Sequence, residues 1–175
     1  VYKIYCELAL NLRIKPKKRL PVRTPVPLHQ PDQPNSFWSM DFMSDSLASG
    51  RKFRTLNVLD DFNRESLAIE IDYSLPAERV VRVLDQVALT RGYPAFIRVD
   101  NGPEYISQRL LECAWQHGVT ISHIQPGKPA QNGYIERFNR TYREDILDQY
   151  WFSNLEEVRD ITDEWMNMYN GERPH

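Results

Sequence analysis

Three carboxylates on three well-separated stretches are where this chain could do chemistry. Asp41 lies inside the aromatic-rich run FWSMDFM, Asp100 in IRVDNGPEY, and Glu136 in QPGKPAQNGYIERFNRTYR, with thirty-five residues (101–135) between Asp100 and Glu136. Carboxylates on separate elements suit a site for two divalent cations acting on phosphodiesters, because hard cations need oxygen ligands and a pair of them must share. An Asp within a strand usually marks a turn or an edge. Asp41, flanked by Met40 and Phe42, fits neither and is read as a metal ligand.

The neighbourhood of Glu136 is basic and rich in amides. Arg140 and Arg143 follow it at i+4 and i+7, on one helical face. That spacing serves a surface ion pair worth ~0.3–0.5 kcal/mol, or a pair of phosphate clamps beside a metal ligand. The clamp is the favoured reading. The preceding loop adds Gln125, Lys128, Gln131 and Asn132, donors suited to a nucleic-acid backbone.

Other candidates have plainer roles. Asp45, Asp60 and Asp61 fall in turns, where Asp bonds its own backbone, and Glu104 after Pro103 complements a helix start. Cys113 and His117 share a helix face, and His123 follows, but no fourth ligand stands at zinc-finger spacing. They are read as a core cysteine and surface histidines. Trp38, Trp115, Trp151 and Trp165 are expected to pack a core or an interface.

The elements that must hold these residues follow from periodicity. Phe37 to Met43, Arg51 to Leu59 and Glu65 to Ile71 read as strands linked by Ser49-Gly50 and by Asp60-Asp61-Phe62-Asn63, an antiparallel meander. A helix capped at Ser74 or Leu75, with the apolar stripe Val80, Val83, Leu84 and Val87, ends before Gly92. Ala95 to Val99 is a short buried strand delivering Asp100 at a turn. A helix from about Glu104 to His117, a strand from Val119 to Ile124, the Glu136 helix and an amphipathic helix from about Leu155 to Tyr169 complete the chain.

The 175 residues allow one domain with a sizeable core and an appended arm, and 41% apolar with 26% charged residues is ordinary for a globular chain. No apolar run has transmembrane length, and two cysteines make no disulfide framework. The net charge of −2 hides a polarised distribution. Residues 1–30 carry seven Lys/Arg against Glu7, whereas 144–175 carry nine acids against Arg159 and Arg173. Residues 15–34 hold six of the twelve prolines with Lys15, Lys17, Lys18, Arg19 and Arg23, an extended basic linker placed to touch DNA backbone or solvent.

The phrases WSMDFM, GRKFRTLNVLDDFNRE, RVDNGPEY, QPGKPAQNGYIERFNRTYRED and YNGERPH resemble, in this order, the integrase core of bacterial insertion-sequence transposases of family three. Asp41, Asp100 and Glu136 are similar to the DDE triad that such proteins share with retroviral integrases. The likeness covers roughly Asn35 to His175. It implies an α/β, ribonuclease H-like fold: a mixed five-stranded sheet, antiparallel meander plus parallel strands, flanked by helices. In that fold Asp41 and Asp100 stand on adjacent central strands. Asp41 is then expected to bridge two Mg2+ or Mn2+ ions, Asp100 to hold one and Glu136 the other.

The implied activity is cleavage at insertion-sequence ends to free a DNA 3′-hydroxyl, then strand transfer by that hydroxyl, with no covalent protein–DNA intermediate. The implied partners are element ends, target DNA and further copies of the chain, in the bacterial cytoplasm beside the nucleoid. Residues 1–34 are expected to be the end of an upstream DNA-binding helical region and a linker. Residues 35–175 are expected to be the catalytic core, truncated at its C-terminus. Two other readings stay open: a hydrolytic nuclease on the same fold, and a DNA-binding fragment without chemistry.

Overall fold

The strands of this chain are short alternating segments, and the way they alternate decides where its chemistry lies. In the computed structural model, which describes residues 30–125 and 129–172, β1 (Phe37–Ser46), β2 (Lys52–Asp60) and β3 (Ser66–Asp72) form an antiparallel meander. Lys15, Lys17, Lys18 and Lys128 lie outside the described residues, as does most of the expected linker. Gly50, at φ 80°, takes the left-handed conformation needed to close the β1–β2 turn. At the β2–β3 turn, Asp60 accepts from the Phe62 and Asn35 amides, both within 2.9 Å, which is the turn role read for it.

Helix α1 (Ala77–Arg91) then leads to β4 (Phe96–Val99), which pairs parallel to β1. A 3-10 turn at Pro103–Ile106 and α2 (Gln108–Gln116) lead to β5 (Thr120–His123), parallel to β4. The strand order is β3-β2-β1-β4-β5. A second 3-10 turn at Pro129–Asn132 opens α3 (Gly133–Tyr142), which passes through a π turn at Arg143–Leu147 before α4 (Leu155–Glu172). This is the ribonuclease H-like plan, with β1 and β4 adjacent at its centre as expected. Some boundaries differ: β1 runs on to Ser46, which places Asp45 in the strand, and Pro76 is the N-cap of α1 in place of Ser74 or Leu75. The helix expected from Glu104 is split, because Ser107 takes extended backbone and its side chain accepts from the Leu110 amide, starting α2 afresh.

Alternation along the strands makes two cores. Trp38 and Met40 of β1, Leu56 and Val58 of β2, and Ile97 and Val99 of β4 pack against α1 and α2. Phe53 and Leu59 of β2 and Ile71 of β3 pack on the other face against Ile135, Phe138 and Tyr142 of α3 and Trp165 and Tyr169 of α4. The Tyr142 hydroxyl lies 2.7 Å from Thr162 Oγ1, joining α3 to α4, and burial pushes it up to about 12. Of the four tryptophans, Trp38 and Trp165 are core, whereas Trp115 and Trp151 are each 84% exposed.

A charged network lies within this sheet. Arg98 of β4 donates to Asp61 Oδ2 over 2.6 Å, and Ser39 of β1 donates to Asp61 Oδ1 over 2.6 Å, all three being buried. Burial raises the Asp61 carboxyl, opposed by its Ser39 hydrogen bond and by Arg98.

Candidate active site

Asp41 stands directly opposite Asn57 in the β1–β2 ladder. Asn57 Nδ2 donates to Asn139 Oδ1 over 2.7 Å, and Asn139 Nδ2 donates to Asp41 Oδ2 over 2.8 Å. The second Asp41 oxygen, Oδ1, accepts from the Phe42 amide at 2.8 Å. A relay of two amides from the neighbouring strand and from α3 thus fixes the carboxylate's orientation.

Parallel pairing sets Ser39 against Arg98, so the chain runs off the end of β4 into Asp100 beside β1. Asp100 Oδ1 accepts from the Gly102 amide over 2.8 Å, an Asx turn that the Asp-Asn-Gly run favours. The end of β5 holds this turn twice. His123 Nδ1 lies 3.2 Å from the Asp100 carbonyl oxygen, and Asn101 Nδ2 donates to the Ile124 carbonyl over 3.0 Å.

Glu136 occupies the first turn of α3, where the helix dipole favours a carboxylate. Helical spacing puts Ile135, Phe138, Asn139 and Tyr142 against the sheet and leaves Glu136 and Arg140 exposed. Among the described residues neither the Glu136 carboxylate nor the Arg140 guanidinium has a hydrogen bond or ion pair, so the simple i, i+4 pair is not formed.

The charges of Asp100 and Glu136 both reach Asp41. Burial pushes the Asp41 carboxyl up to about 6, and the charges of Asp100 and Glu136 add to the rise, against the pull of the Phe42 and Asn139 hydrogen bonds. Their ligand atoms do not all converge within 4.8 Å; among the described residues the trio that does is Asp85, Cys113 and His117. Excess negative charge on a half-buried carboxylate with an oxygen-only donor set is what a hard divalent cation relieves, so these residues fit such an ion.

The remaining expected contacts divide. Gln131 is half-buried and its Oε1 accepts from the Gln125 amide over 2.8 Å, which closes the loop before α3. Asn132 is corrected: at 3% exposure it sits under the start of α3 and offers no surface to a phosphate. Arg143 is engaged in the fold, donating to Asp45 Oδ2 at 3.1 Å and to the Ser44 carbonyl at 3.0 Å. Arg140 keeps a free, exposed guanidinium among the described residues. Sequence reading missed Asn139 and Asn57. The available signal was a polar residue, Asn139, within the otherwise apolar stripe of α3.

Comparisons with known proteins bear on the family and the fold. The integrase core domain family matches residues 31–129, and a second family of the same description matches residues 117–175. The chain is 43% identical to an uncharacterized 39.2 kDa protein of insertion element IS476 from Xanthomonas euvesicatoria, over all of this chain and 51% of that protein. It is 40% identical, again over its whole length, to an uncharacterized 31.7 kDa protein of insertion element IS407 from Burkholderia multivorans, covering 63% of it. It therefore spans between half and two-thirds of these relatives. The HTLV-2 integrase catalytic core domain in complex with magnesium, in its dimeric form, superposes with a TM-score of 0.59 at 18% identity, over 80% of this chain and 89% of that one.

Proposed function

The chain belongs to the integrase core domain family, and we propose that it is the catalytic core of an insertion-element transposase that cleaves DNA at the element's ends and joins the freed 3′-hydroxyl to a second strand. The observation that carries this reading is that β1, β4 and α3 bring Asp100 and Glu136 within electrostatic reach of Asp41. Asp41, Asp100 and Glu136 are assigned as ligands of Mg2+ or Mn2+, two ions per site. When bound, such ions polarise the phosphoryl oxygens and lower the pKa of a coordinated nucleophile. A magnesium complex of the HTLV-2 core domain supports the choice of ion.

The residues of this chain have separate tasks. Asn139, backed by Asn57, orients Asp41 so that its free lone pairs face the site. Arg140, one turn beyond Glu136 and unpaired among the described residues, grips the phosphates flanking the scissile bond. Lys128, Lys15, Lys17 and Lys18 are assigned to the DNA backbone, as a sequence-independent contribution. The partners are element ends, target DNA and further copies of the chain, in the bacterial cytoplasm and nucleoid. No helix among the described residues is long and apolar enough to cross a membrane.

The test is product analysis. An element end, labelled at the 5′ end of the strand that is to be cleaved and transferred, is incubated with the full-length protein, Mg2+ and a target duplex. Strand transfer predicts label covalently joined to target DNA in strands longer than the substrate; a shortened labelled strand with no joined product would favour the nuclease instead.

A further inference from the structure

The face of the sheet opposite Asp41 carries a second group of ligand-bearing side chains. Helices α1 and α2 cover this face. On α2, the stripe Leu110, Cys113 and Ala114 packs inward, and His117, four residues after Cys113, closes the helix end on the same side. Asp85 projects from the exposed flank of α1, directly after the buried Leu84. After α1, Gly92 turns the chain with φ 73°, and Tyr93 folds back over both helices. Its ring stacks on the His117 imidazole at 3.9 Å between centroids and 13° between planes. Its hydroxyl donates to Asp85 and lies 4.0 Å from Cys113 Sγ.

One ligand atom each from Asp85, Cys113 and His117 falls within 4.8 Å of the other two. A tetrahedral zinc ion with bonds of about 2.0–2.3 Å needs ligand atoms about 3.3–3.8 Å apart, so small side-chain rotations close the remaining gap. Sulfur, imidazole nitrogen and carboxylate oxygen together favour a borderline cation over the hard ions suited to Asp41.

We propose that Asp85, Cys113 and His117 form a zinc-type cation site that ties α1 to α2, separate from the carboxylates around Asp41. Cys113 gives up its thiol proton to solvent on binding, and the metal takes the place of the Tyr93 hydroxyl as the partner of Asp85. Tyr93 fixes the imidazole plane by stacking. The fourth position opens to solvent, since Asp85 and His117 are both exposed. Sequence spacing offered His123 beside Cys113 and His117 and did not point to Asp85, because Asp85 sits on another helix.

Cobalt is the probe. The full chain carries Cys6→Ser, leaving Cys113 as its one thiol, with Asp41→Asn and Glu136→Gln to silence the opposite face. One equivalent of Co2+ is expected to give a thiolate-to-cobalt charge-transfer band and tetrahedral visible bands, both removed by equimolar Zn2+. Cys113→Ser should abolish the charge-transfer band, and the exposed replacements His117→Gln and Asp85→Asn should each weaken Co2+ binding by at least ~10-fold. No charge-transfer band at several equivalents of Co2+, or affinity unchanged in both His117→Gln and Asp85→Asn, overturns the site. The exposed variants keep the test valid should Cys113→Ser disturb packing.

Discussion

Asn139 Nδ2 donates to Asp41 Oδ2 over 2.8 Å, linking the Glu136-bearing helix to the central strand across 98 residues of sequence. Removing this amide leaves the carboxylate half-buried with one fewer donor and free to rotate. Asn139→Ala is expected to lower metal-dependent cleavage and Mg2+ affinity by ~10–100-fold, the usual loss when the partner of a metal ligand is removed. Single-turnover cleavage across a Mg2+ series checks this. An unchanged Mg2+ dependence would reduce Asn139 to packing.

The raised Asp41 carboxyl makes a prediction about pH. In the folded protein it titrates near 6, against 3.8 unperturbed, so between these values the native state holds a proton the unfolded chain has released. The contribution of Asp41 to metal-free stability is therefore fully present below about pH 4 and is lost as pH rises through 6. A divalent cation favours the ionised form and offsets that loss. Mg2+ should thus raise Tm more at pH 7 than at pH 5, its stabilisation approaching ~2.7 kcal/mol at a hundredfold excess over Kd. Asp100→Asn, which removes one of the neighbouring charges, should stabilise the metal-free form at pH 7. Thermal melts with and without Mg2+ at both pH values measure it.

Arg140 and Arg143 should behave differently although both follow Glu136 on one helix. Arg140 is unpaired among the described residues, and Arg143 is tied to Asp45 and the Ser44 carbonyl. Arg140→Ala is expected to weaken DNA binding across sequences and to reduce the salt slope by about one, since one phosphate contact is lost. Arg143→Ala should leave the slope alone and cost at most ~1 kcal/mol of stability. DNA affinity over a salt series, with melts of both variants, separates the two. Parallel salt lines for Arg140→Ala and wild type would remove the clamp.

The buried Arg98–Asp61 pair predicts a stability effect remote from metal binding. Arg98→Met leaves the Asp61 charge buried with Ser39 as its remaining side-chain donor, and is expected to cost ~3–5 kcal/mol. Adding Asp61→Asn should restore part of the loss. Urea unfolding of the single and double variants tests this.

Much of this was legible in the sequence because it depends on local pattern. The meander, the strand ending at Asp100 and the apolar stripe of α1 follow from alternation and helical period. The adjacency of β1 and β4 is a nonlocal pairing, and it came from resemblance instead. The amide relay from Asn57 through Asn139 was hidden for the same reason: its members meet only after strands and helix pack. Asn132 looked like a loop amide, but the start of α3 buries it. Ser107 shows the opposite case, a local cap signal passed over within an apparently continuous helical stretch.

The central claim is that Asp41, Asp100 and Glu136 together hold the metals that cleave DNA. It is tested most directly by single-turnover cleavage of a labelled element end with Mg2+, using the full-length protein and its Asp41→Asn, Asp100→Asn and Glu136→Gln variants. Circular dichroism establishes that each variant is folded. Each amide keeps the shape of its acid but loses anionic oxygen, so each is expected to lower cleavage by at least ~1000-fold, several kcal/mol of transition-state stabilisation. Cleavage by any folded variant within ~10-fold of wild type would contradict the account.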